Sequence, residues 1–159
     1  NIHWYAAFHR FISKFTEQQR AVLDPELTEV YYDGASISLA DYQEVIEERV
    51  KLGQIMNLFH ETYDLLLTPT LPISAFSAGQ SVENPGEQNR WPDWSPFSYP
   101  FNLTGQPACS VPCGFTDSGL PVGLQIIGPR YKDDLVLNFA KHVTDLYPFK
   151  APQLKDTIN

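Results

Sequence analysis

The residues able to do chemistry are few, and they do not cluster. The chain holds 4 histidines, His3, His9, His60 and His142, and 2 cysteines, Cys109 and Cys113. No two histidines stand four apart, and His60-Glu61 lacks the second histidine of an H-E-x-x-H zinc helix. The histidines therefore read as helix-surface residues, with no metal and no cofactor expected. The G-x-S-x-G elbow of a serine hydrolase, the G-x-G-x-x-G loop and the P-loop are all missing from the sequence. Cys109 and Cys113 fall in one strand-like run. An i,i+4 pair on an extended strand is ~13 Å apart, beyond the ~7 Å that a disulfide bridges. They read as buried thiols of a protein in a reducing compartment. A nucleophilic thiol needs a neighbouring base to lower its pKa, and none is close in sequence. Residue chemistry alone describes a soluble α/β domain without a catalytic constellation.

The elements that would position any site follow from periodicity. Trp4, Phe8, Phe11, Ile12, Phe15 and Val22 recur at three- and four-residue steps and predict a helix over 3–23, stopped by Asp24-Pro25. A short helical or irregular piece over 26–33 and a turn at Asp33-Gly34 follow. Residues 39–62 form the strongest helical pattern. Ser38 is its N-cap and Asp41 sits in its first turn, where negative charge suits the helix dipole. Tyr42, Val45, Ile46, Val50, Ile55, Leu58 and Phe59 make its apolar face, with Glu44, Glu47, Glu48, Arg49 and Lys51 on the solvated one.

Residues 63–68 read as a strand buried on both faces. The stretch 69–96 is a long irregular loop rich in proline and glycine, and loops of this length are usually functional or disordered. Phe97–Gly105 reads as a short helix stopped by Gly105. The apolar runs 108–115 and 121–128, separated by Thr116-Asp117-Ser118-Gly119-Leu120, predict a β-hairpin. Residues 132–147 read as a closing helix. The chain is taken as a single domain over 1–159 with 69–96 as its irregular loop.

Composition limits the partners. Apolar residues make up 43% and charged residues 19% of the 159 residues, a globular balance. The net charge of −8 disfavours phosphate backbones, so no nucleic acid is expected. No run nears the roughly 18 apolar residues of a membrane span, so no membrane partner is expected and the setting reads as cytoplasmic. The first residue is Asn rather than Met, which suggests a chain cut from something longer.

Three segments carry a more specific signal. They are YDLLLTPTLPISAF at 63–76, WSPFSYPFNLTGQPACSVPCGFTDSGLPVGLQIIG at 94–128 and RYKDDLVLNFAKHV at 130–143. Together they closely resemble the C-terminal portion of the amidase signature family, from about residue 34 to 146. The resemblance implies a partial mixed β-sheet flanked by helices. It also implies hydrolysis of a carboxylic amide to an acid and ammonia or an amine, by a Ser–Ser–Lys triad. In that family both serines lie in a Gly/Ser-rich segment of the first half, with the lysine further upstream.

No such segment exists here, and Lys14, Lys51, Lys132, Lys141, Lys150 and Lys155 have no matching context. No catalytic residue is carried over, and the isolated chain is expected to be inactive. The expected partners are the missing N-terminal half of the same protein and a small amide substrate, with a homodimer as a further possibility. Trp91, Trp94, Phe97 and Tyr99 are aromatic candidates for the substrate pocket, with loop packing as their alternative role.

Ser95 joins them for another reason. The glutamyl-tRNA amidotransferase A subunit resembles this region too, and it places an acidic residue seven positions before the Asn of its NLxG motif to hold the amino group of glutamine. Counting back from Asn102 gives Ser95, with Asp93 two residues away. A neutral hydroxyl cannot make that charge-assisted contact. The favoured reading is a general amidase acting on a less polar amide. The alternatives are that amidotransferase subunit, or a non-catalytic binding or dimerisation module.

Overall fold

The structure, a computed structural model, describes residues 1–82 and 91–150, with the backbone alone at Trp91 and Pro92. The chain forms two compact units, Asn1–Ile55 and Met56–Asn159.

The first unit is helical. Helix α1 runs Ile2–Ile12 and α2 Glu17–Arg20, so the single helix expected over 3–23 is broken. The cause is local capping. Thr16 is extended at φ −66° and ψ 162° and forms a reciprocal box with Gln19. The Gln19 amide N–H donates to Thr16 Oγ1 at 3.3 Å, and the Thr16 amide N–H donates to Gln19 Oε1 at 2.9 Å. These bonds satisfy donors that a continuous helix would use otherwise.

Helix α3, Pro25–Ala35, starts with Asp24 accepting from the Glu26 amide at 2.9 Å and with Pro25 in its first turn. The turn expected at Asp33-Gly34 lies inside this helix. Gly34 is where α3 meets α1: a Cβ there would stand 2.3 Å from the Tyr5 carbonyl oxygen and 2.6 Å from His9 Cβ. His9 is no free surface histidine, since its ring stacks on Tyr31 at 4.8 Å and its Nδ1 donates to the Tyr31 carbonyl at 2.9 Å. Ile12 and Val30 are fully buried.

Helix α4 runs Leu39–Phe59. Ser38 and Asp41 cap it reciprocally: the Asp41 amide donates to Ser38 Oγ at 3.1 Å, and Ser38 Oγ–H donates to Asp41 Oδ2 at 2.6 Å. The hydroxyl bond first, and the bond from the Ser38 backbone second, hold the Asp41 carboxyl below the usual carboxylate range. None of the α4 residues is buried.

The second unit is built on three strands, β1 (Leu66–Pro69), β2 (Ala108–Phe115) and β3 (Pro121–Ile127), in the order β1-β3-β2 and antiparallel throughout. The expected hairpin is β2–β3. β1 begins later than expected and alternates between half-buried and exposed residues rather than being buried on both faces. Leu66 and Ala108 both stand opposite Ile127, and Thr68 and Ser110 both stand opposite Gln125.

Alternation along the strands then gives the sheet two faces. One face carries Val111 and Ile126 and is covered by α6, Asp133–Leu146, through Val136 and Ala140. Gly128 lets the helix approach, because a Cβ there would lie 2.6 Å from Val136 Cγ2. The other face carries Thr68, Gln125 and Ser110. Buried Gln125 donates its amide hydrogens to Thr68 Oγ1 at 3.0 Å and to the Phe97 carbonyl at 3.1 Å.

Helix α5, Tyr99–Thr104, is stopped by Gly105 in the left-handed region at φ 67°. The next residue, Gln106, is buried and fully bonded. Its amide nitrogen donates to the Gly128 carbonyl at 3.1 Å and to His60 Nε2 at 2.8 Å, and its oxygen accepts from Thr104 Oγ1 at 2.8 Å. His60 can accept at Nε2 because its Nδ1 donates to the Tyr63 carbonyl at 2.8 Å. The NLTGQP run is thus a helix stop followed by a polar tie to the strand ends. His60 belongs to that tie and is not an ordinary surface residue.

Two outcomes follow. Gly34→Ala forces a methyl into the α1–α3 contact and lowers stability by about 1–3 kcal/mol; a denaturant melt that superimposes on the parent would exclude this close approach. Gln106→Leu keeps the bulk but takes the amide donor from the Gly128 carbonyl and from His60 Nε2, at a cost of about 1–3 kcal/mol. The check is the hydrogen-exchange rate of the β3 amides, which rises if the tie holds the strand ends and is unchanged if it does not.

Candidate functional site

The face of the sheet opposite α6 opens into a groove of about 580 Å³. Its floor is formed by the ends of β2 and β3, and its sides by the segment that leaves β1 and by Trp94. Leu71, Ile73, Phe76, Trp94, Pro112 and Val122 make it largely apolar, and Thr70, Ser74 and Ser110 bring hydroxyls to it.

Gly123 makes the floor possible. Thr70, just past β1, is held beside the central strand by its amide N–H donating to the Gly123 carbonyl at 2.9 Å. Ser110 reaches across from β2, and its Oγ lies 2.6 Å from Thr70 Oγ1. The two hydroxyls meet over Gly123, where a Cβ would come within 2.6 Å of Thr70 Oγ1 and 2.8 Å of Ser110 Oγ. Glycine inside a strand commonly marks such a close approach. The aromatic wall is also held in place: Trp94 Nε1–H donates to the Ser81 carbonyl at 2.9 Å, and the Phe76 and Trp94 rings meet edge-on at 5.7 Å.

Of the five pocket residues expected from sequence, the structure brings Trp94 to the groove. Trp91 begins a short 3-10 turn, Trp91–Trp94, but its side chain lies outside the described residues. Ser95 is 8% exposed, with its hydroxyl 2.9 Å from the Tyr99 hydroxyl. Phe97 contributes its carbonyl to Gln125 rather than its ring to the groove. Residues 83–90 of the long irregular loop lie outside the described residues.

Sequence reasoning passed over Thr70, Ser110 and Gly123. The signal was present as Thr70 just past the Leu66–Pro69 strand, Ser110 on the next strand and Gly123 on the strand between them. Among the described residues neither hydroxyl meets an activating base, because the partner of each is the other hydroxyl. The cysteines are free thiols. Burial pushes the Cys109 thiol up, away from the thiolate a nucleophile needs. The Cys113 thiol lies 3.6 Å from the Val122 carbonyl and donates to it. No helix among the described residues is long and apolar enough to cross a membrane.

Comparison with known proteins gives these features a family. The profile of the family described as Amidase matches residues 5–137. The A subunit of the glutamyl-tRNA(Gln) amidotransferase of Brevibacillus brevis is 38% identical over 114 residues, covering 72% of this chain and 21% of that protein. An acylamidase of Rhodococcus erythropolis is 31% identical over 146 residues, covering 89% of this chain and 30% of the enzyme. Among solved structures, a bacterial aryl acylamidase of the amidase signature enzymes superposes with a TM-score of 0.70 at 28% identity, over 91% of this chain and 31% of its own. The chain therefore spans about a third or less of each of these proteins. The reach of the family profile, together with relatives above 30% identity across most of its length, makes this chain a member of the amidase signature family.

Proposed function

We propose that this chain is the C-terminal portion of an amidase that hydrolyses a carboxylic amide, with a Ser–Ser–Lys triad supplied by an N-terminal portion of the same protein. The observation that carries this reading is the match itself, which accounts for most of the chain but only 21% and 30% of two relatives. In such a reaction a serine oxygen attacks the amide carbonyl and its proton passes through the second serine and the lysine to the leaving nitrogen. Water then cleaves the acyl-serine ester and releases the acid. Each step needs a base, and among the described residues the hydroxyl pair in the groove has none. The part left to this chain is the wall of the site.

Further support comes from apolar side chains left in solvent. Val50, Ile55 and Leu58 on α4 are 56%, 60% and 63% exposed, a pattern that fits surface covered by further polypeptide. The two free cysteines suit a cytoplasmic setting.

A second reading, as part of an amidotransferase A subunit, is favoured by the 38% identity to such a protein. Ser95 argues against it. The resemblance implies an acid at this position, seven before Asn102, in such subunits, whereas this chain has a neutral hydroxyl buried against Tyr99. The general amidase is therefore the preferred reading, with Trp94 as the aromatic of the pocket.

The test measures acid and ammonia or amine released from simple amides. The 159 residues alone should show no turnover, since losing the nucleophile of a serine hydrolase costs on the order of a millionfold. Joining or adding the N-terminal portion should restore it. Turnover by the isolated chain that one substitution within it abolishes would overturn the proposal. Ammonia release confined to glutamine, with partner subunits copurifying, would favour the second reading. A stable homodimer with no hydrolysis in any combination would indicate a non-catalytic module.

A further inference from the structure

The groove has a chemistry more specific than its apolar lining. Each hydroxyl carries one hydrogen and two lone pairs. At an Oγ–Oγ separation of 2.6 Å, Thr70 and Ser110 share one of their two hydrogens. One O–H and several lone pairs remain, side by side, for a ligand. The pair therefore presents a donor and an acceptor on one edge. A primary carboxamide presents the complement, because its carbonyl oxygen and the N–H syn to it lie on one edge at about the spacing of two hydrogen-bonded oxygens. An ester or ketone offers only acceptors there, and a hydrocarbon offers nothing.

The walls choose the remainder of the ligand. None of the described lining residues is ionisable, so among them a carboxylate or ammonium entering the groove would lose water without meeting a counter-charge. Leu71, Ile73, Phe76, Trp94 and Val122 favour an aryl or alkyl group instead, and a cavity of about 580 Å³ accommodates a small molecule of that kind. Trp94 and Phe76 are already tied to Ser81 and to each other, so little ordering is required of them on binding. The absence of a Cβ at Gly123 keeps the hydroxyl edge reachable.

We propose that Thr70 and Ser110, meeting over Gly123, form a recognition edge for a neutral primary carboxamide whose aryl or alkyl group lies against Trp94 and Phe76. This rests on the amidase reading and specifies which amides that site admits. Thr70 and Ser110 are specificity-determining residues here and take no part in bond cleavage.

The test is an NMR titration of the 159-residue chain with benzamide, and with benzoate, acetophenone and glutamine as controls. Benzamide should shift the Gly123 and Ser110 amides and the Trp94 indole N–H saturably. Acetophenone, which accepts but cannot donate, should bind several-fold more weakly, and benzoate and glutamine should leave these resonances unmoved. The double variant Thr70→Val, Ser110→Ala, whose fold is checked by its own spectrum, should bind benzamide and acetophenone alike. Gly123→Ala, which fills the edge, should lose the shifts, and the double variant keeps the test decisive if that chain does not fold.

Equal binding of benzoate or glutamine, or no shift with benzamide, would overturn the proposal. So would loss of benzamide binding when the N-terminal portion is added, which would make the groove a seat for polypeptide. Binding is read without turnover, so failure here leaves the triad reading standing, and failure to hydrolyse leaves a positive titration standing.

Discussion

The central strand of the sheet is bonded on both edges, and its register decides what each face of the second unit can be. β3 pairs with β1 and β2 so that Gln125 faces Thr68 and Ser110 while Ile126 faces the other way. A slip of one residue would send Gln125 into the apolar layer under α6 and Ile126 into the groove face. The buried Gln125 amide opposes that slip, because only in the observed register do its two hydrogens meet Thr68 Oγ1 and the Phe97 carbonyl. A buried amide without those partners would carry an unmet desolvation cost. The helix-covered core and the open groove are thus two consequences of one register.

Close approach at missing side chains is the second recurring device. Gly34 admits one helix against another, Gly128 admits α6 against the end of β3, and Gly123 admits two hydroxyls to each other. Each replaces a Cβ that would stand under 3 Å from a neighbour. In the first two places the gain is packing. In the third, a polar edge is opened on an otherwise apolar floor, and this gives the groove a chemical character that its lining alone would not have.

Among the described residues the groove has no base beside it. Catalysis by a serine hydroxyl needs a partner that takes its proton, and among the described residues the two groove hydroxyls meet each other. The chain carries walls, a tied aromatic and a held register, features that fix the shape of the groove. The Gln106–His60 tie serves the same end, since it joins the stop of α5 to the end of β3 and to the turn before β1.

Much of the architecture was legible in the residues. Apolar periodicity located α4, α6 and the β2–β3 hairpin to within a few residues, because helix and strand each repeat their side chains at their own period. Gly105 marked the end of α5, and Ser38 with Asp41 marked the start of α4, because caps are local bonds written in adjacent residues. Local capping also explains the misread first helix: the Thr16–Gln19 box was in the sequence but lay under a continuous apolar stripe.

Three other features rest on residues far apart in the chain, and no window of sequence holds both sides of them. The place of Gly34 inside a helix depends on Tyr5 and His9. The roles of His9 and His60 depend on Tyr31 and Gln106. The groove floor depends on Thr70, Ser110 and Gly123 arriving together from three segments, of which the first reads as irregular loop and the other two as ordinary strand. Residue types and spacings determined the elements and the family resemblance; which hydroxyls meet, and which aromatic stands over them, was decided only when antiparallel pairing brought distant segments into register.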